Sequence, residues 1–330
     1  MTRRQWGAPR RWYGYIQKTY GSYFAEPNLA ATTLKTYATL WDAHVLPQLG
    51  SVPLRELTPS VVNRFRLDLE AAGVGRASIG KTLTLLQGIL QRACEWERLT
   101  PNPVKAVRKP AAGRVQAVTP LTADTVETLG GFLLDGSLVR DATVISVLAY
   151  AGLRPSEALA LTWAHIRDRT ILVEAAVSMG VVGETKTRHR RTVPLLPPLA
   201  QDLAEWRLRA GRPNDAELVF PGHDGRPWSA AAWKNWHRRV FRPAGQAARR
   251  AVVRPYDLRH SFVSLLIAEG HNVVEVARQA GHSPKMALDT YAHVFEEFDP
   301  AERLGGAERI RAAREARSLA SAQPQLFDTV

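Results

Sequence analysis

Ala280-Gly281-His282-Ser283-Pro284 closes one helical pattern and opens the next, and nine residues past the histidine comes Asp289-Thr290-Tyr291-Ala292-His293. Asn272 and Glu275 have the spacing of a capping box at the start of the first helix. Gly281 suits the left-handed residue that ends it. Ser283-Pro284 then reads as the cap and first residue of the second helix. Working outward, Tyr256-Asp257-Leu258-Arg259-His260 opens a helix with Leu258, Phe262 and Leu265 on its apolar face. Further upstream, Tyr150-Ala151-Gly152-Leu153-Arg154-Pro155-Ser156-Glu157 places Arg154 at a loop-to-helix junction. Between these segments lie a short strand pattern, Thr170-Ile171-Leu172-Val173, a basic turn from Lys186 to Arg191, and a second strand, Thr192-Val193-Pro194-Leu195. The fold class that follows is mainly α with a small antiparallel β-sheet (α+β).

The rest of the chain divides by composition. Residues 1–25 interleave Arg3, Arg4, Arg10, Arg11 and Lys18 with Trp6, Trp12, Tyr13 and Tyr15, a pattern that fits either a nucleic-acid-contacting arm or an ordinary packed N-terminus. Residues 26–103 read as a helical domain. Leu34, Tyr37, Trp41 and Val45 follow helical spacing behind Thr32 or Thr33 as cap. Thr58-Pro59 starts a helix with Val62, Phe65 and Leu69 on one face, and Leu83, Leu86, Leu90 and Cys94 mark a longer one that Pro101 and Pro103 stop. Residues 104–118 read as a basic linker carrying Lys105, Arg108 and Lys109, either laid against a phosphate backbone or simply solvated. A second domain spans 119–300, with helices expected near Ala123 to Leu134 and Asp141 to Ala151. Residues 301–330 hold a short basic helix pattern and a polar tail.

The 330 residues carry 44 Lys and Arg against 31 Asp and Glu, a formal net charge of +13 that favours a polyanionic partner. The lone cysteine, Cys94, excludes an intramolecular disulfide and reads as a small core residue rather than a nucleophile. The basic N-terminus lacks a following apolar segment and the apolar run from Val144 to Leu153 is too short to span a bilayer. A cytoplasmic protein with no membrane partner is the expectation. Neither metal-ligand spacings nor a Gly-rich phosphate loop are visible, so no cofactor is expected.

In their order along the chain, the motifs around Arg154, Lys186, Arg259, His282 and Tyr291 resemble the tyrosine recombinase (phage integrase) family. The resemblance implies a helical core-binding domain followed by a tyrosine-recombinase catalytic domain, clamped on opposite faces of a DNA duplex. It implies a site-specific recombinase or integrase that cuts and rejoins DNA through a 3′-phosphotyrosine intermediate, without a high-energy cofactor. Tyr291 would be the nucleophile, its barrier lowered by surrounding arginines. Arg154 and Arg259 would neutralise the charge growing on the phosphoryl oxygens, which suits the planar guanidinium fork. His282 would hydrogen-bond the phosphate or the departing group. Lys186 would protonate the leaving 5′ oxygen, while Arg188, Arg190 and Arg191 grip backbone phosphates together with Lys105, Arg108 and Lys109. In the alternative the whole basic turn only grips phosphates. Glu157 is read as a structural partner for a nearby cation, and His293 as packing.

One position departs from the family pattern. Tyr256 stands where His-x-x-Arg usually supplies a histidine that is a candidate general base, and a tyrosine is a poor base near neutral pH. His260 is set aside as a substitute because adjacent helical residues point in different directions. Two readings follow: an enzyme that relies less on that base, which is favoured, or a slowed one. A catalytically weak DNA-binding protein of the same fold and a type IB topoisomerase-like relaxing activity are the alternatives. The implied partners are double-stranded DNA attachment sites, a tetramer of this chain on DNA, and an accessory directionality factor or DNA-bending protein. The pattern at Ala307 to Leu319 is placed either to dock on a neighbouring subunit or to fold back on its own domain.

Overall fold

The computed structural model describes residues 29–111, 118–185, 190–249 and 254–297. The arm at 1–25, the segment at 301–330, Lys186 and Arg188 therefore lie outside the described residues. The chain divides into two compact units, Met1–Gln116 and Ala117–Val330.

In the first unit, α1 (Ala31–Leu40) runs through a wider turn at Trp41–Val45 into a short helical stretch, Leu46–Leu49. Its N-cap is Ala30, with no side-chain cap, two or three residues ahead of the expected threonine caps. α2 (Pro59–Ala71) starts as expected, with Thr58 Oγ1 accepting from the Val61 amide at 3.3 Å. α3 (Arg76–Glu95) is the spine of this unit: Ile79, Leu83, Leu86, Ile89 and Leu90 are fully buried along one stripe. Val62, Phe65 and Leu69 of α2 close the same core. The segment expected as linker begins inside this unit. Val104 and Val107 are buried in its core, because a 3₁₀ turn at Pro103–Ala106 folds them back.

In the second unit, α4 (Ala123–Asp135) is capped by Thr122, and α5 (Val139–Tyr150) is buried almost all round. That burial explains its many apolar residues, from Val144 and Ile145 to Val147, Leu148 and Ala149, since α5 packs against α4, α7 and α10 at once. α6 (Pro155–Ala158) is a single turn. The β component is two antiparallel ribbons. β1 (Thr170–Val173) pairs with β4 (Arg191–Pro194), Ile171 facing Val193. β2 (Ala175–Ser178) pairs with β3 (Val181–Glu184). The inner ribbon was not expected from sequence. Its two-residue turn is Met179-Gly180, both at positive φ (53° and 82°), the geometry that matches strand twist in tight hairpins. The basic turn therefore follows β3 and leads into β4 rather than joining β1 to β4 directly.

α7 (Pro197–Arg209), α8 (Ala230–Trp236) and α9 (Arg242–Ala247) complete the outer layer. α10 (Pro255–Ala268), α11 (Val273–Ala280) and α12 (Pro284–Glu297) then bring the motif residues onto α5 and β4. The capping box at Asn272 and Glu275, the left-handed Gly281 (φ 62°) and the Ser283 cap on Met286 all stand as the sequence indicated. Among the described residues, no helix is long and apolar enough to cross a membrane.

Gly152, two residues past the end of α5, packs directly against Phe262 of α10. Its φ is +59°, and a Cβ there would sit 2.1 Å from a Phe262 ring carbon. Positive φ and overpacking each cost about 1–3 kcal/mol. Gly152→Ala is accordingly expected to lower the unfolding free energy by about 2–5 kcal/mol in urea titrations, with Gly131→Ala, which meets open space in a helix, neutral or better.

Candidate active site

The site is assembled at the C-terminal end of α11. A helix leaves its last carbonyls without intrahelical partners. Here three consecutive ones are each taken by a different arginine. Arg191 Nε donates to the Gln279 carbonyl at 3.0 Å, Arg259 Nη2 donates to the Ala280 carbonyl, and Arg154 Nη2 donates to the Gly281 carbonyl at 2.7 Å. Cations at this end also complement the helix dipole. The arginines come from β4, α10 and the cap of α6, so the turn carrying His282 is pinned by three distant parts of the chain.

Glu157 holds two of them. It is 2% exposed, and its carboxylate accepts from the Arg154 amide (2.9 Å), Arg154 Nη1 (2.7 Å), and both terminal nitrogens of Arg191 (3.1 and 2.7 Å). Burial alone would raise its pKa, but the paired bonds from Arg191 and those from Arg154 outweigh it and hold the group at about 2. Arg191 was expected to grip a phosphate from the basic turn. Its guanidinium points inward instead, 8% exposed and occupied by Glu157 and Gln279. The reason is register: Arg191 pairs opposite Val173 in the outer ribbon, which carries it under α11. Arg190 remains exposed and contacts Glu174 at 3.1 Å.

Arg259 is completely buried, donating to the Gly152 and Ala280 carbonyls and lying 3.0 Å from His282 Nε2. Burial and the positive charge of Arg154 depress its pKa to about 10, so it stays charged at neutral pH. His282 is pushed down to about 3, first by burial and then by Arg259 and Arg154, and is neutral. Three guanidiniums thus gather at the end of α11, with one carboxylate between two of them. Arg259 Nε and His282 Nδ1 are buried without a protein partner, a state that costs about 1–3 kcal/mol per group. An excess of fixed positive charge beside unpaired donors is an arrangement that an oxyanion completes.

Tyr291 of α12 is fully buried beside this cluster, its ring 6.5 Å from that of His282 and near-parallel to it. Burial pushes the phenol pKa up, and Arg259 only partly opposes this. The expectation that the arginines leave Tyr291 activated is therefore reversed in this state. Its hydroxyl is 2.6 Å from His260 Nδ1, although sequence reasoning had set His260 aside. Neighbouring helical residues diverge by about 100°. That divergence sends Arg259 to Gly152 and Ala280, and His260 to Tyr291. Tyr256, 40% exposed, is one turn before His260 with the rings edge-on at 5.4 Å. That i, i+4 spacing was the available signal. His293 is at hydrogen-bond distance (2.9 Å) from the Val118 carbonyl, as a packing residue would be.

In the first unit, Arg108 and Lys109 line a cleft of about 270 Å³ with Arg66, Arg76 and Glu70. Lys109 Nζ donates to Thr84 Oγ1 at 3.1 Å, and Lys105 is exposed on the 3₁₀ turn. Arg66 and Arg76 were not singled out from sequence; they gather only when α2 and α3 pack.

Residues 120–297 match the model of the phage integrase family. The chain belongs to that family. Its reaction is the cleavage and rejoining of DNA strands through a tyrosine, the chemistry that defines tyrosine recombinases. Among curated integrases and recombinases it is 25% identical over 271 residues to the putative prophage phiRv2 integrase of Mycobacterium tuberculosis, covering 80% of this chain and 70% of that protein. It is 28% identical over 303 residues to tyrosine recombinase XerC 1 of Ralstonia nicotianae, covering 84% and 89%. In fold it resembles the Tn1549 transposon integrase solved with circular intermediate DNA (TM-score 0.72, 20% identity, 91% of this chain and 99% of that one). It also resembles lambda integrase solved as a tetramer on a Holliday junction (TM-score 0.65, 18% identity, 88% and 78%).

The Glu157 linkage has a definite sign. The folded-state pKa of about 2 lies below the ordinary 4.5, so the stabilisation is complete above pH 4.5 and is lost as pH falls toward 2. Glu157→Gln should cost about 3 kcal/mol at neutral pH, the order expected when one partner of a buried pair is removed. Its stability should fall less steeply than the wild type's between those pH values, measured by chemical unfolding at each pH.

Proposed function

We propose that this protein is the integrase of a phage or other mobile element, acting on double-stranded attachment sites. Tyr291 is the nucleophile that forms the 3′-phosphotyrosine. Arg154 and Arg259 receive the phosphoryl oxygens, His282 donates to one of them or to the departing group, and Lys186 protonates the leaving 5′ oxygen. The observation that carries this reading is the set of three guanidiniums at the end of α11 with a single carboxylate, bonded to two of them, and with Arg259 Nε and His282 Nδ1 unpaired, next to a buried tyrosine. A phosphodiester supplies the anion and acceptors that this cluster lacks. His282, neutral, donates through one ring nitrogen without adding charge.

The DNA grip would come from cations in both units. Arg66, Arg76, Arg108 and Lys109 around the cleft of the first unit suit backbone phosphates, as do Lys105, Arg188 and Arg190. Arg191 leaves this set and serves as a strut. The working form on DNA is a tetramer that recombines two sites, with a directionality or DNA-bending factor as an accessory partner, and the compartment is the cytoplasm. The DNA complexes of the Tn1549 and lambda integrases, the latter including a tetramer on a Holliday junction, support the DNA substrate and the assembly.

Nicked duplexes spanning the boundaries of the element that carries the gene should trap a covalent protein–DNA adduct on denaturing gels. Tyr291→Phe should bind the same DNA and give none. Binding should weaken by about 10³–10⁵ between 50 and 200 mM salt if six to ten phosphates are contacted. Salt-sensitive binding with no adduct from the wild type would favour a DNA-binding protein without strand cleavage.

A further inference from the structure

Tyr291 is held by a histidine other than the one its family pattern leads one to look for. The His260 Nδ1 to Tyr291 hydroxyl distance is 2.6 Å, and both groups are buried, Tyr291 completely and His260 at 7% exposure. Burial keeps the phenol protonated. Burial also lowers the His260 pKa. Asp257 opposes that shift, while Arg259 and Arg254 add to it, so the imidazole is neutral near pH 7. The phenol is therefore the donor, Nδ1 the acceptor, and the ring proton sits on Nε2. Tyr256 packs edge-on against the same imidazole from one turn earlier in α10. The ionisable groups around His260 are thus Arg254, Tyr256, Asp257 and Arg259 at the start of α10, His282 on the turn before α12, and Tyr291 on α12.

We propose that His260 holds the Tyr291 hydroxyl and receives its proton as the phenol oxygen attacks the scissile phosphorus, the task that Tyr256 cannot perform in the family's histidine position. This rests on the recombinase reading above. In the cleavage step the phenol oxygen forms the new P–O bond and its proton moves to His260 Nδ1. The bond from phosphorus to the 5′ oxygen breaks, its electron pair leaves on that oxygen, and Lys186 supplies the oxygen with a proton. In rejoining, the incoming 5′-hydroxyl returns a proton to Lys186 and His260 returns one to the departing phenolate. An imidazole next to a hydroxyl nucleophile is a common way of activating a group whose own pKa is too high.

The test follows adduct formation by wild type, His260→Ala and His260→Asn on nicked duplexes from the element boundaries, from acid to alkaline pH. DNA affinity and thermal unfolding are measured alongside. The substrate carries sulfur in place of the scissile 5′ oxygen; a thiolate leaves without an acid, so the rates report the phenol side and not Lys186. Asparagine places an amide oxygen near the position of Nδ1 and can hold the phenol, but it cannot take the proton. Both variants should form adduct about 10²-fold or more slowly than wild type at neutral pH, the usual worth of a positioned base. Both should recover most of that loss in alkali, where hydroxide takes the proton, with DNA affinity within about twofold of wild type.

An Asn variant as fast as wild type would reduce His260 to a positioning residue and overturn the proposal. So would a loss that is equal at every pH. If His260→Ala does not fold, the Asn variant carries the comparison. Wild type that binds but forms no adduct would overturn the recombinase reading and this inference with it. Competent wild type with unaffected variants would overturn this inference alone.

Discussion

Three adjacent carbonyls at the end of one eight-residue helix set the geometry of this site. Gln279, Ala280 and Gly281 each accept from a different arginine, so β4, α10 and the cap of α6 are registered against the same 3-residue stretch. Left to water these carbonyls would let the His282 turn fray. Bound as they are, they fix the turn and hold three guanidiniums close together. The like charges repel, and the arrangement stands because Glu157 lies between two of them with four hydrogen bonds and almost no solvent. A buried ion pair is weak evidence for stability in itself. Its worth here is positional, since a hydrophobic replacement would leave Arg154 and Arg191 with nothing to share.

The arginines then divide by burial. Arg191, occupied on every face, is a strut. Arg259, fully buried, spends its terminal nitrogens on Gly152 and Ala280, and keeps Nε without a protein partner. Arg154 is the outermost of the three, with its side chain about one-fifth exposed. On the recombinase reading, a phosphate arriving from solvent would meet Arg154 first and draw on the charge of Arg259 behind it. Gly152 makes that depth possible. With a side chain at this position, Phe262 and the carbonyl that Arg259 uses could not both keep their places.

Much of this was legible in the sequence, and the reasons differ by element. Asn272, Gly281 and Ser283 act through bonds within a few residues of themselves, so their spacing alone specified the two helix ends that frame the site. The buried stripe of α3 was equally plain in its periodicity. The Met179-Gly180 turn was missed because Met is an unusual residue at positive φ and the flanking strands are short, with a weak, mostly apolar pattern. Arg191 was misplaced because composition groups it with the rest of the basic turn, while strand register carries it under α11. His260 was missed because its partner lies on another helix. Tertiary packing alone joins residues 260 and 291, and no local rule contains that contact.

The electrostatics of the resting site also follow from its assembly. The charges that would stabilise a phosphorane are already fixed, yet the phenol of Tyr291 beside them is neutral. Arg259 lowers the phenol pKa, but the burial that places Tyr291 against His282 and His260 raises it by more. A phenolate formed in this state would be drawn to Arg259 and compete with an incoming phosphate for its charge. A protonated phenol leaves that charge available to an incoming anion. On the recombinase reading, deprotonation is then favoured only when the phosphorus is present to receive the oxygen. Burial of Tyr291 would therefore link its activation to the arrival of substrate at the same arginines.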